Sequence, residues 1–288
     1  MSQGPWVPRL HGPGARPRSP SPSLRCGETL LRALEGGPEI EYHLYVPKRG
    51  GRGARVLVTV HGIAEQASLH MAHLQGLAEA AGVVLVAPMF AKPGFRDYQR
   101  LGRAGSGERA DHALDRVIAE IGRLTHAITG RIFLFGFSGG GQFVHRYAMA
   151  HPERVVAAVA VASGWYTFPD PGRPYPYGTR ATKKLTGVRF EPEAFLRVPI
   201  LVAVGDADCV RDRSLRQTES VDLQQGRTRV ERAKRWVEAM AESARAHGLP
   251  PAVRLLEFPG VRHSFVECVE KGRLGEIVFA DLFGRAPE

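Results

Sequence analysis

The 288-residue sequence predicts an α/β protein in which a mostly parallel, doubly wound sheet carries helices on both faces. Two observations predict it. Short, nearly continuous apolar runs rich in Val, Ile and Phe recur along the chain, as strands buried on both faces require. Between them lie segments with helical spacing of apolar residues, and no internal repeat interrupts the alternation.

The elements follow in order. Residues 40–46 alternate apolar and polar side chains up to Pro47, the pattern of a half-exposed antiparallel strand. Residues 56–60 form the first buried strand and end in His61-Gly62. Residues 68–81 have helical spacing, and 83–86 make a second buried strand closing at Pro88. In 108–126, Leu114, Val117, Ile118, Ile121 and Leu124 share one helical face. Residues 132–137 are a third buried strand, followed at once by a helix over 139–150. Residues 155–162 and 199–204 supply two more strands. An amphipathic helix over 228–246 stops at Gly248 and Pro250-Pro251. Residues 253–258 are the last strand and 273–283 the last helix.

Residues 1–27 are rich in Pro, Gly, Arg and Ser and read as a disordered tail or a mis-assigned start, leaving 28–288 as a single domain. The tail lacks the apolar stretch of a secretory signal. No run approaches the roughly 18 apolar residues of a membrane span. The three cysteines make no CxxC and are too few for a disulfide framework. A cytoplasmic monomer or homodimer is therefore expected.

The net charge of +10 raises the question of nucleic acid. Four of those charges, Arg9, Arg16, Arg18 and Arg25, sit in the tail, where no acid balances them. Elsewhere the signs interleave, as over 227–242, which describes a solvated helix face better than a phosphate-tracking groove. No nucleic-acid partner is expected.

In an open parallel sheet, ligands bind beyond the carboxyl ends of the strands. Directly after the strand at 132–137 stands Gly136-Phe137-Ser138-Gly139-Gly140, a GxSxG with a helix beginning at once. The bare string arises easily in a chain with 33 glycines. Between a strand and a helix it is the sharp turn that lifts a serine oxygen off the sheet, with glycines allowing close approach.

A serine hydroxyl needs a base, and histidine suits. His263, in Phe258-Pro259-Gly260-Val261-Arg262-His263, follows the last strand and reaches the same sheet edge as Ser138. His247 fits a helix C-terminal cap, and His145 and His151 lie on or after the nucleophile's helix, pointing away. His70 and His73 are three apart on a helix without a third metal ligand, so a solvated face is expected, with no metal site.

The acid comes from Gly205-Asp206-Ala207-Asp208-Cys209-Val210-Arg211-Asp212. Asp208 is favoured for its reach, Asp206 being placed to hydrogen-bond the turn and Asp212 standing further out. The order Ser, Asp, His is that of the α/β-hydrolase triad.

Acyl transfer needs two N–H donors for the oxyanion. Gly139 at the helix start is one, and Ile63 after the strand at 56–60 is the other, with Ala64 as alternate. His61 is expected to brace that loop by hydrogen bonding.

The segments HGIAE, GFSGGGQF, VGDADCV and FPGVRHSF resemble the signatures of the α/β-hydrolase superfamily over about residues 38–285, in the style of polyhydroxybutyrate depolymerases and feruloyl esterases. The resemblance implies cofactor-free hydrolysis of a small-molecule or oligomeric carboxylic ester. An aromatic-rich excursion at about 164–198 is a possible lid. In it Trp165 and Tyr166 are candidates for the acyl pocket, or simply pack the excursion onto the body. The polar stretch 211–227 reads as a mobile loop over the site.

Overall fold

The structure, a computed structural model, describes residues 24–284 apart from 38, 103–106, 184 and 186. Most of the expected tail lies outside the described residues. Within 24–27, the Gly27 N–H already bonds the Val46 carbonyl at 2.7 Å.

Eight strands form one sheet: β1 (Thr29–Ala33), β2 (Glu41–Tyr45), β3 (Arg55–Val60), β4 (Val84–Met89), β5 (Ile128–Phe137), β6 (Val155–Val161), β7 (Ile200–Gly205) and β8 (Val253–Phe258). Their spatial order is β1-β2-β4-β3-β5-β6-β7-β8. The β1–β2 and β2–β4 pairings are antiparallel and all others parallel. Strand β4 runs through Pro88 rather than closing there. Its parallel pairing with β3 ends at Val58 opposite Val86, and Pro88 lies beyond it, in register with Tyr42 of β2.

Alternating side chains build two core layers. Val56, Val58, Leu134, Ala158 and Val202 point to one face, where they meet α2 (Ala110–Thr125), α3 (Gly139–Ala150) and α6 (Arg229–Ala246). Leu57, Phe133, Phe135, Val159 and Leu201 point to the other, against α1 (Ala67–Ala81) and α8 (Leu274–Phe283). Both layers are near fully buried, so the sheet is a close-packed platform for whatever its edge carries. A capping box between Thr228 and Glu231 fixes the start of α6.

Three short helices, α4 (Pro192–Phe195), α5 (Glu219–Gln225) and α7 (Phe265–Glu270), carry no sequence periodicity long enough to read. Thus 219–225, expected as loop, is helical; buried Gln225 bonds the Tyr166 backbone N–H and carbonyl at 2.8 and 2.9 Å. The excursion at 164–198 packs down on α3 and α6. Fully buried Arg146 donates to Thr167 Oγ1 at 2.9 Å, and Trp236 Nε1 donates to the Thr167 carbonyl at 2.7 Å.

Candidate active site

The parallel strands bring the ends of β3, β5, β7 and β8 to one sheet edge, and the chemistry-bearing residues stand there. Ser138 has φ 54° and ψ −109°, a positive-φ conformation that a non-glycine residue adopts only under constraint. The constraint is visible on both sides: the Ser138 N–H bonds the Val161 carbonyl at 2.8 Å, and its carbonyl accepts from Gln142 N–H at 3.1 Å. A Cβ at Gly140 would overlap the Val60 carbonyl, and one at Gly136 would overlap Gly140. The glycines of GxSxG are therefore required by close approach.

The β7 and β8 turns are sewn together. Asp206 N–H bonds the Phe258 carbonyl at 3.1 Å, Ala207 N–H bonds the Val261 carbonyl at 3.2 Å, and Asp206 Oδ1 accepts the Gly260 N–H at 2.7 Å. Ser264 then caps α7 by accepting the Glu267 N–H, which fixes the residue just before it, His263.

His263 Nδ1 lies 2.7 Å from Asp208 Oδ2, and Nε2 lies 3.1 Å from Ser138 Oγ. An ionised carboxylate only accepts, so the Nδ1 proton faces Asp208 and the Nε2 lone pair faces the serine hydroxyl. The imidazole stacks on Phe137 with centroids 5.2 Å apart, which limits its rotation. Asp208 is 1% exposed, whereas Ser138 and His263 remain reachable at the edge of a cleft of about 410 Å³. Ser138, His263 and Asp208 form a catalytic triad. Larger hollows on the surface stand away from it and hold none of its residues.

Many solved structures share this architecture. The poly(3-hydroxybutyrate) depolymerase of Bordetella parapertussis aligns with a TM-score of 0.72 and 25% identity, over 92% of this chain and 92% of its own. Poly(aspartic acid) hydrolase-1 of Sphingomonas sp. KT-1 also gives 0.72, with 24% identity, over 84% of this chain and 95% of its own. The chain has the α/β-hydrolase fold. An S-formylglutathione hydrolase of Agrobacterium tumefaciens shares that α/β-hydrolase fold at a TM-score of 0.57 and 18% identity, over 88% and 94% of the two chains. No family model and no curated protein matches the sequence.

The other sequence candidates sort themselves by contact. Asp206 holds the turn of the His263 loop, as its nearness to the strand implied. Asp212 accepts from the N–H and hydroxyl of Ser214 and does not reach His263 within hydrogen-bonding distance. His61 braces the loop after β3: Phe90 N–H donates to its Nε2 at 3.0 Å, so Nδ1 carries the proton and donates to the Gly62 carbonyl at 2.6 Å. His145 is tied to Gly141 and Thr167, His151 to Asp111, and His247 to the Ser243 carbonyl at the end of α6.

His70 departs from the expected solvated face. It is 2% exposed, lies 2.6 Å from Thr59 Oγ1 and stacks on Phe265 at 4.1 Å. The α1 face that carries it turns inward, because Met71 and Leu74 beside it are core residues. No cluster of three or more His, Cys, Asp or Glu side chains suited to a metal occurs among the described residues.

Ile63 and Phe137 line the cleft beside Ser138, and Leu69, Phe265 and Val266 add its apolar walls, with Gln66, Ser214 and Ser264 as polar points. Tyr166 is fully buried and stacked on Trp236 at 5.0 Å. Trp165, 4% exposed, packs against the guanidinium groups of Arg146 at 4.5 Å and Arg216 at 5.1 Å. Neither aromatic lines that cleft.

Arg229 is the contact that sequence reading missed. Its Nη1 donates to Asp208 Oδ1 at 3.0 Å, inside the core. Nothing in the local sequence marks it, since a first-turn arginine after Thr228 looks like any other charge on α6.

Proposed function

We propose that this chain is a serine esterase that hydrolyses carboxylic esters of small or oligomeric hydroxy acids through an acyl-enzyme. The observation that carries the reading is the Ser138–His263–Asp208 relay, with bonds of 3.1 and 2.7 Å in the chain order of the fold.

In the first step His263 Nε2 takes the Ser138 proton as Oγ attacks the ester carbonyl, and Asp208 stabilises the imidazolium. The proton then passes to the departing alcohol. Water enters by the same route and releases the acid. Gly139 opens α3, so its N–H belongs to the unpaired first turn that forms the helix's positive end. Together with Ile63 N–H across the cleft it is the proposed oxyanion hole. A structure of a Ser138 boronate adduct tests this: its oxygen is expected about 2.7–3.1 Å from both N–H groups. An oxygen turned from both would move the hole elsewhere.

The apolar walls favour a short aliphatic acyl or hydroxyacyl unit, and the open cleft leaves room for an oligomer. The 25%-identical structure is that of a poly(3-hydroxybutyrate) depolymerase, whose named substrate has this chemistry. Trp165 and Tyr166 have less support as the acyl wall, because their rings are committed to Arg146, Arg216 and Trp236. The free thiols of Cys26, Cys209 and Cys268 support a reducing, cytoplasmic setting. Among the described residues no helix is long and apolar enough to cross a membrane.

Hydrolysis of p-nitrophenyl esters of increasing chain length, beside 3-hydroxybutyrate oligomers and a matched amide, tests the reaction class. Turnover of the esters with a preference for short chains is expected. Amide turnover without ester turnover would replace the esterase reading.

A further inference from the structure

Asp208 is held from two sides. His263 takes Oδ2, and Arg229 Nη1 takes Oδ1 at 3.0 Å, with both members of this ion pair 1% exposed. The second arm of the fork, Nη2, donates to Ser214 Oγ at 2.7 Å, and Ser214 is part of the cleft wall beside Ser138. Asp212 stands 3.8 Å from the same Nη2 and holds Ser214 in turn. One guanidinium therefore connects the triad acid to the wall of the cleft.

The remaining charged and titratable groups around this pair are accounted for. The Tyr166 phenol and Cys268 thiol both sense the Asp208 charge, but burial pushes each of them up, Cys268 to about 12. Arg232, three residues along α6, is engaged by Asp222 at 2.7 Å. Asp206 is turned to Gly260. Among the described residues Arg229 is the cation in contact with the acid.

We propose that Arg229 is a positioning residue of the triad: it fixes the plane of the Asp208 carboxylate against His263, offsets part of its charge and ties it to the Ser214 wall. The inference rests on the serine-hydrolase reading of the site. A carboxylate torsion is broad and roughly two-fold, so a carboxylate bonded through one oxygen retains rotational freedom that the second bond removes. The charge has a separate consequence. An unscreened carboxylate draws the imidazole toward its protonated form, in which Nε2 cannot accept the serine proton. A cation on the far oxygen opposes that pull.

The test follows the His263 ring by NMR through a pH titration, beside the pH profile of kcat/KM, in the wild type, Arg229→Met, Arg229→Lys and Ser214→Ala. Arg229→Met is expected to raise the His263 titration and the acid limb together by roughly one pH unit. Arg229→Lys keeps the charge without the fork, so it should restore the titration while kcat stays lowered. Ser214→Ala should leave the titration in place. If Arg229→Met fails to fold, the lysine variant decides: a wild-type kcat with a wild-type titration would overturn the positioning role. A folded Arg229→Met protein titrating like wild type would reduce Arg229 to a structural ion pair. Absence of ester turnover in the wild type, with the NMR shift intact, would contradict the proposed function and not this inference.

Discussion

Two aspartates two residues apart have opposite duties, and side-chain direction alone separates them. Asp208 points inward to His263 and Arg229, while Asp206 points to the Gly260 N–H. Asp208→Asn is expected to lower kcat by about 10⁴, since an amide in place of the carboxylate favours the wrong imidazole tautomer. Asp206→Asn keeps an acceptor oxygen for Gly260 and should cost about tenfold or less, because it disturbs the turn and not the proton relay. Steady-state kinetics on a p-nitrophenyl ester compares them, and a larger loss at Asp206 would exchange the roles. Ser138 and His263 were legible in the sequence because each is fixed by its neighbours, one by glycines at a strand-to-helix turn and the other by the last strand. The acid was legible as a favoured choice, Asp208, among three, since a loop does not fully reveal which carboxylate turns inward. Arg229 was not legible, because its partner lies 21 residues away and across a loop.

At the scale of elements, two contacts hold the edge of the sheet in shape. The first is the seat of α3 against β3, where Gly140 leaves no room for a Cβ. Gly140→Ala must push helix from strand and is expected to cost at least about 2 kcal/mol, with loss of activity; thermal unfolding measures it, and an unchanged Tm would deny the close approach. The second is the seat of α1, where His70 lies against Thr59 and Phe265. Burial, with smaller contributions from His61 and His73, lowers the His70 pKa to about 3. The unfolded chain takes up that proton near pH 6.5 and the folded chain does not, so unfolding binds one more proton between those values. Stability from this group is complete above about pH 6.5 and falls by about 1.4 kcal/mol per pH unit below it, towards pH 3. Urea unfolding of His70→Gln across that range should show a flatter slope than wild type, and equal slopes would place the acid sensitivity elsewhere. The long helices were readable from periodicity and the inner strands from their continuous apolar runs. Helices α4, α5 and α7 were not, each being too short to show a period, and α5 exists through contacts such as Gln225 on the Tyr166 backbone.

For the whole molecule, the mostly parallel sheet was implied by the alternation of buried strands and helices, and the carboxyl edge by its parallel direction, whereas the order of the strands was not read from the sequence. What composition left open was the meaning of the positive charge. Cations and anions lie interleaved, with Arg229 paired to Asp208 and Arg232 to Asp222 below the surface and Lys234 paired to Glu257 on it. The triad at Ser138 places the chemistry in the cleft at the sheet edge. The central claim, that Ser138 is the activated nucleophile of a triad, is tested most directly by intact-mass measurement after a fluorophosphonate. One adduct per chain is expected, mapped to Ser138, formed more slowly as His263 is protonated and absent from Ser138→Ala. An unlabelled wild-type protein, or an adduct that persists in Ser138→Ala, would contradict it.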